Sequence, residues 1–259
     1  MKKKKTIIII AILLVMTLML GVSSFLFVNR QLWIHSIRTI TETIHQGANS
    51  LNIQLKADFD VLEMIKADIV KGDSSKVDAI MDSYNIVEPD VNLYICDNIN
   101  SDNHTNHDRE VCKYLDKVDL ERGVLDSHIS SLTGERVFNI FERIYFEDKI
   151  KAYLVKEYRT KEIAEQFTLT FYNYKGFSYL INRDGTVMVR SGHKNSNKTL
   201  SNLFDLISLE QNEIQMIEEF KNSIYKLKAG WAKFNYNGEG MVFCYEALRA
   251  DSNWLLVSV

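Results

Sequence analysis

From Thr6 to Val28 the chain carries no charged residue, 23 positions in a row, and Lys2 to Lys5 stand immediately before them. As a helix, a run of that length crosses a hydrocarbon layer of about 30 Å with some tilt. The lysine cluster keeps its own end in the cytoplasm by the positive-inside rule. A secretory signal peptide has the same layout, with Gly21, Ser23 and Ser24 as its small residues. The apolar run resumes at Phe25-Leu26-Phe27-Val28, which favours an anchor that stays in place. Either way, residues 30–259 are expected on the far side of the membrane, tethered through residues 6–28.

That external part has the means to fold. Hydrophobic residues make up 46% and charged residues 25% of the chain, enough apolar surface for a core. Without Lys2 to Lys5, 27 basic residues face 34 acidic ones. An acidic exterior argues against nucleic acid or anionic lipid as partner. Three cysteines are too few for a disulfide framework.

Along residues 30–70, Trp33, Ile37, Ile40, Ile44, Ala48, Leu51, Leu55, Leu62, Ile65 and Ile69 recur at spacings of mostly three or four, the pattern of a helix with one buried stripe. It leaves the apolar span without a Pro or Gly-Ser linker. It is therefore expected as a stalk that packs on the following domain, pairs with a second copy, or does both. A short helix over 76–84 follows, then a strand over 91–97 and a polar surface loop over 98–110. A helix near 111–118 comes next, with strands 136–146 and 150–158 as a hairpin. A short helix over 161–167 precedes a second cycle. Strands 177–182 and 186–190 flank Arg183-Asp184-Gly185, a strong hairpin signal. Residues 200–228 read as helix, and three strands over 231–236, 241–248 and 254–259 complete an antiparallel sheet. The fold class is α+β.

This order resembles the double Cache (dCache, or PDC) extracytoplasmic sensor domains of bacterial receptors. The resemblance rests on Gly176 to His193 (GFSYLINRDGTVMVRSGH) and on the closing run from Gly230 to Val259, and is weak over 71–135. It implies a transmembrane helix over 1–29, a stalk over 30–70, a membrane-distal PAS-like unit over 71–168 and a membrane-proximal one over 169–259. It also implies a small extracellular ligand in the distal unit and a cytoplasmic output: a diguanylate cyclase of the GGDEF type, a histidine kinase or a chemotaxis signalling domain. No GGDEF, EAL or kinase signature occurs in the chain, which closes in an apolar strand without a second span. The output is expected in a C-terminal region outside it.

Four residues of the 136–158 hairpin are candidate ligand contacts: Arg143, Tyr145, Tyr153 and Lys156. Cationic and aromatic side chains around a pocket suit a carboxylate such as an amino acid or organic acid. On an edge hairpin the same residues are often simply exposed, and the amino-acid-binding pattern of the resembled family does not match here residue by residue. Cys96, His104, His107 and Cys112 fall around the polar loop. A tethered enzyme with tetrahedral zinc would use such ligands, but their spacing is not a zinc pattern. A Cys96–Cys112 disulfide and two unpaired thiols are the other readings, and no cofactor or metal is assigned. Cys244 alternates with Phe243 and Tyr245 as a core residue, and Asp184 reads as a turn residue. His193 and Asp205 lack a third group for acid–base chemistry.

Overall fold

The computed structural model describes residues 2–72, 76–96, 105–118, 120–146, 150–166, 176–207, 211–236, 238–249 and 251–259. It divides into two compact units, Met1–Glu42 and Thr43–Val259. Helix α1 runs from Lys2 to Lys71. Within the first unit its apolar side chains from Ile12 to Val28 are each more than half exposed. It is the one described helix long and apolar enough to cross a bilayer.

In the second unit α1 buries Ile44, Ala48, Leu51, Leu55, Phe59, Leu62, Ile65 and Ile69. Their spacings of three and four put them on one stripe. Phe59 fills the step between Leu55 and Leu62 that the sequence stripe leaves open. Helix α2, Val77–Asn85, leads to the first sheet. That sheet consists of β1 Val91–Ile95, β2 Arg122–Val124, β3 His128–Ile129, β4 Arg136–Phe146 and β5 Ile150–Arg159, in the order β1-β5-β4-β2 with β3 also on β4. All its pairs are antiparallel. Helix α3, Asn106–Asp116, covers one face. Helix α1 covers the other, where Lys66 and Asp58 reach Glu142 and Lys156.

Helix α4, Thr160–Gln166, connects to a second antiparallel sheet. This one contains β6 Ser178–Asn182, β7 Val187–Arg190, β8 Gly230–Tyr236, β9 Glu239–Ala247 and β10 Trp254–Ser258, in the order β7-β6-β10-β9-β8. Helix α5, Ile214–Tyr225, packs on it through Ile217, Phe220 and Ile224. Phe220 meets the rings of Phe204, Phe234, Phe243 and Tyr245 edge-on, with centroids 5.2 to 6.0 Å apart, the geometry aromatic quadrupoles favour. The two sheets are joined through Asp126. Its carboxylate accepts from Asn182 Nδ2 at 3.1 Å and from Trp254 Nε1 at 3.3 Å. The Trp254 ring lies 4.9 Å from that of Phe138.

Two expectations need correction, and two strands are additional. The 98–110 loop ends early: Thr105 and Asp108 form a capping box, and α3 begins at Asn106. Residues 97–104, including His104, lie outside the described residues. The 200–228 helix is two pieces. Asn202 caps a 3₁₀ turn, Leu203–Leu206, by accepting from the Phe204 N–H, and Ile207 is already extended. Strands β2 and β3 are too short to show a period of two; pairing with β4 defines them.

The Asp-Gly hairpin is as expected. Gly185 has φ +86°, a left-handed conformation that costs a side-chain-bearing residue about 1–2 kcal/mol. A Cβ there would also stand 2.5 Å from the Phe204 ring and 2.6 Å from Asn202 Oδ1. Asp184 Oδ1 accepts from the Thr186 N–H at 2.9 Å, a turn role. Gly185→Ala is expected to cost about 2 kcal/mol from strain plus clash, read as a lowered midpoint in urea unfolding of the full chain in detergent. A wild-type midpoint would show that Phe204 and Asn202 simply move aside.

Candidate functional site

A β-strand sends alternate side chains to opposite faces, so the register of β4 and β5 sorts the first sheet's chemistry. Arg143 pairs with Tyr153, Phe141 with Val155, and Asn139 with Glu157. Tyr94 of β1 also pairs with Tyr153. These positions share the face that α3 covers. Ile140 pairs with Lys156 and Glu142 with Leu154, on the α1 face.

Three of the four candidate ligand residues therefore share the α3 face. Arg143 is buried and donates from Nη1 to Glu121 Oε1 at 3.3 Å and from Nη2 to the Val118 carbonyl at 3.3 Å. Its guanidinium lies 5.6 Å from the Tyr153 ring centroid. Burial disfavours its charge, but hydrogen bonds and charge from Tyr145 and Tyr153 outweigh this and hold its pKa above the ordinary value. Tyr145 is exposed and Tyr153 fully buried. Lys151 donates to Asp116 Oδ1 at 2.6 Å, and Tyr153 Oη donates to the same oxygen at 3.4 Å.

Lys156 stands on the other face. Its ammonium donates to Asp58 Oδ1 of α1 at 2.6 Å and to Glu88 Oε2 at 2.7 Å, and the Tyr158 hydroxyl donates to the Asp58 carboxylate. Burial pushes the Tyr158 pKa up, and the Asp58 hydrogen bond pushes it further.

The α3 face carries His107, which the sequence reading weighs only as a metal ligand, and several residues that it does not single out. His107, near the start of α3, touches Tyr94 Oη at 3.1 Å and Ser131 Oγ at 2.8 Å. Tyr114 stacks on His128 with centroids 5.0 Å apart. Glu157 is half-buried, and burial raises its pKa although His107, His128 and Arg159 pull the other way. Between the two ends lies an apolar layer of Phe141, Val155, Val111, Leu115 and Leu125. The signal for the missed residues was present: strand alternation from Tyr153 leads to Val155 and Glu157.

Cys96 and Cys112 form a disulfide with Cα atoms 5.5 Å apart, tying the end of β1 to α3. Both sulfurs are consumed by that bond, so the four-residue zinc reading loses its thiolates. No group of three or more metal-ligating side chains comes together among the described residues. Cys244 is buried in β9. The loop after β7 is tied up internally: Lys198 Nζ donates to the carbonyls of Ser191 and His193, each at 2.8 Å, and to Ser196 Oγ at 2.7 Å. An open depression of about 520 Å³ lies against Arg109, Glu110, Lys113, Tyr114 and Lys117 of α3 and the turn after it.

No sequence-family profile and no curated protein matches the chain. Solved structures do. The extracellular domain of the candidate histidine kinase mmHK1S-Z3 superposes with a TM-score of 0.64 at 13% identity, over 86% of this chain and 93% of that one. The sensory domain of the Campylobacter jejuni chemoreceptor Tlp3, with isoleucine bound, gives 0.62 at 12% identity, over 90% and 96%. The ligand-binding domain of the Pseudomonas aeruginosa PAO1 amino acid chemoreceptor PctB, in complex with L-Gln, gives 0.60 at 11%, over 84% and 88%. At such identities the likeness establishes the fold: the chain has the double Cache architecture of extracellular sensory domains.

Proposed function

We propose that this chain is the extracytoplasmic ligand-sensing region of a membrane-anchored signal-transduction receptor. The observation that carries this reading is the α3 face of the first sheet. There a disulfide-tethered helix roofs a set of buried charged and aromatic side chains, in a fold shared with sensory domains. Arg143, Tyr145 and Tyr153 form one end of the ligand site, and an amino acid or organic acid is the ligand class. Lys156 serves the same site from behind, by fixing β5 to α1. The apolar N-terminal helix is the anchor, with residues 30–259 outside the membrane. The domain boundaries at 29/30, 70/71 and 168/169 belong to this proposal.

The receptor works as a homodimer through α1. Ile53 and Met64, about three turns apart on that helix, are both at least half exposed and supply an apolar contact. Its output is a diguanylate cyclase, or alternatively a histidine kinase or chemotaxis module. The solved neighbours, a candidate kinase and two chemoreceptors, favour the alternatives. The test is a thermal-shift titration of the full chain in detergent against amino acids and organic acids. A ligand at about 100 times its Kd should stabilise the fold by about 2.7 kcal/mol. If no compound moves the melting point, ligand sensing through this face fails.

A further inference from the structure

A short strand next to the second sheet also carries the partner of Arg143. Strand β2 has three residues and lies at the edge of the first sheet. Glu121 immediately precedes it. The Glu121 carbonyl accepts from the Arg143 N–H at 2.7 Å, and the Glu121 carboxylate accepts from Arg143 Nη1 at 3.3 Å. Adjacent residues of a strand point to opposite faces, so Glu121 serves the α3 face and Arg122 the α1 face. There the Arg122 guanidinium lies 5.4 Å from the ring centroid of Phe59 in α1. Its Nη2 stands 2.6 Å from Asp251 Oδ2.

Asp251 belongs to the turn between β9 and β10 of the second sheet. Its φ of +46° is a left-handed conformation that surrounding contacts must hold. The two backbones approach closely, since a Cβ on Gly123 would stand 3.6 Å from the Asp251 carbonyl oxygen. The same turn donates its Arg249 N–H to Asn52 Oδ1 of α1 at 2.7 Å, and its Asn253 carbonyl accepts from the Arg183 N–H at 3.0 Å. Beyond β2, Asp126 reaches Asn182 and Trp254, and the Ser127 N–H meets Met188 Sδ at 3.4 Å. Residues 121–127 thus touch Arg143 at one end and β6, β7, β10 and the β9–β10 turn at the other. Helices α1 and α4 also join the sheets; this segment differs from them in ending on Arg143.

We infer that residues 121–127 are a strap through which the Arg143 end of the ligand face holds the second sheet, and that Glu121 keeps it fastened. The inference rests on the sensor reading for what moves the strap. A ligand carboxylate on Arg143 takes the place of the Glu121 carboxylate, an internal occupant of the same guanidinium. Three positions of edge pairing then hold β2, and Arg122 shifts with the strand away from Asp251. Contacts made by neighbouring residues of so short a strand are coupled, and the coupling is reciprocal: weakening either one loosens the other.

The test is hydrogen exchange in the full chain in detergent, with no ligand present. The Arg183 and Leu248 amides, bonded to the Asn253 and Trp254 carbonyls, report on the second sheet. Glu121→Gln is expected to speed both about three- to fivefold, the scale of an ion pair with one exposed partner. Asp251→Asn should speed the Arg143 amide to a similar degree. Asparagine tolerates the left-handed conformation, so this change removes the charge and keeps the turn. Glu135→Gln is the control. Glu135 pairs with Arg159 at 3.2 Å on the same sheet, and its loss should leave Arg183 and Leu248 at wild-type rates. Wild-type rates at those two amides in Glu121→Gln overturn the strap. So does an effect in one direction only, since the coupling is reciprocal. Equal acceleration by the control, or acceleration at every amide, is general loosening and overturns it too. Exchange is measured without ligand, so each of these outcomes leaves the sensor reading standing; that reading fails only in the amino-acid and organic-acid titration.

Discussion

Lys156→Met is expected to cost about 3 kcal/mol, the scale at which removing one partner strands a buried counter-charge. The side chains of Lys156 and Asp58 are only 13% and 14% exposed, and Glu88 is 27% exposed. Methionine has similar length and fills the same space, so packing changes little. What changes is that two carboxylates are left close together with one hydroxyl, from Tyr158, between them and full desolvation. Burial by itself would lower the Lys156 pKa; its hydrogen bonds to Asp58 and Glu88 more than offset this and hold it above 10.5. A folded-state pKa above the unfolded one gives stability that is fully present below the unfolded value and is lost only as pH rises through the folded value. The deficit of the variant should therefore be flat from pH 6 to 9. Urea unfolding across that range measures it. The triple variant Lys156→Met/Asp58→Asn/Glu88→Gln removes the stranded charges and should recover most of the loss. A single variant as stable as wild type would show that the cluster is solvated in effect and contributes little.

The same lysine shows how far the sequence could be read. Strand limits for β4 and β5 follow from alternation and from the short Glu147-Asp148-Lys149 connection. The site residues do not follow equally well, because residues close in sequence need not share a face of a strand. Tyr153 and Lys156 are three apart, a spacing that shares a face in a helix but opposes faces in a strand. Arg143 and Tyr145, two apart, do share one. Applied strictly, alternation places Lys156 against α1 and selects Glu157 in its stead. Other features had no local signal. Asn139 is an ordinary polar residue in a strand until its burial and missing partner are known. The pairing of β2 and β3 with β4 is long-range, and strands of three and two residues carry too little pattern to announce it. The α3 start was legible in Thr105-Asn106-His107-Asp108, a capping box hidden by the polarity of the loop before it. The stripe of α1 was the most readable element of all, because a helix long enough to cover two sheets repeats its period many times.

Removing the Cys96–Cys112 bridge by the double change Cys96→Ala/Cys112→Ala is expected to cost about 3 kcal/mol, the chain-entropy value for a closed loop of about 15 residues. The bridged residues are 16 apart in sequence. For a folded unit of this size the loss corresponds to a fall in Tm of roughly 6–12 °C. The effect should be concentrated in α3. Eleven residues are too few for a helix to persist alone in water, so α3 depends on what fastens it to the sheet. Apart from the disulfide, the fastenings among the described residues include the apolar layer under Val111 and Leu115, the contacts of Asp116 with Lys151 and Tyr153, and the His107 and Tyr114 contacts. Only the apolar layer is deeply buried. Hydrogen exchange should therefore show α3 losing protection in the double variant while β4 and β10, central in their sheets, keep theirs. Both cysteines are less than a tenth exposed, so a thiol reductant added to the folded protein should reproduce the change slowly, at the pace of local opening, because exchange requires access to the sulfur. A double variant that melts with wild type and keeps α3 protected would mean that the apolar layer alone holds the roof. The ligand face would then be preorganised by packing rather than by the covalent tether.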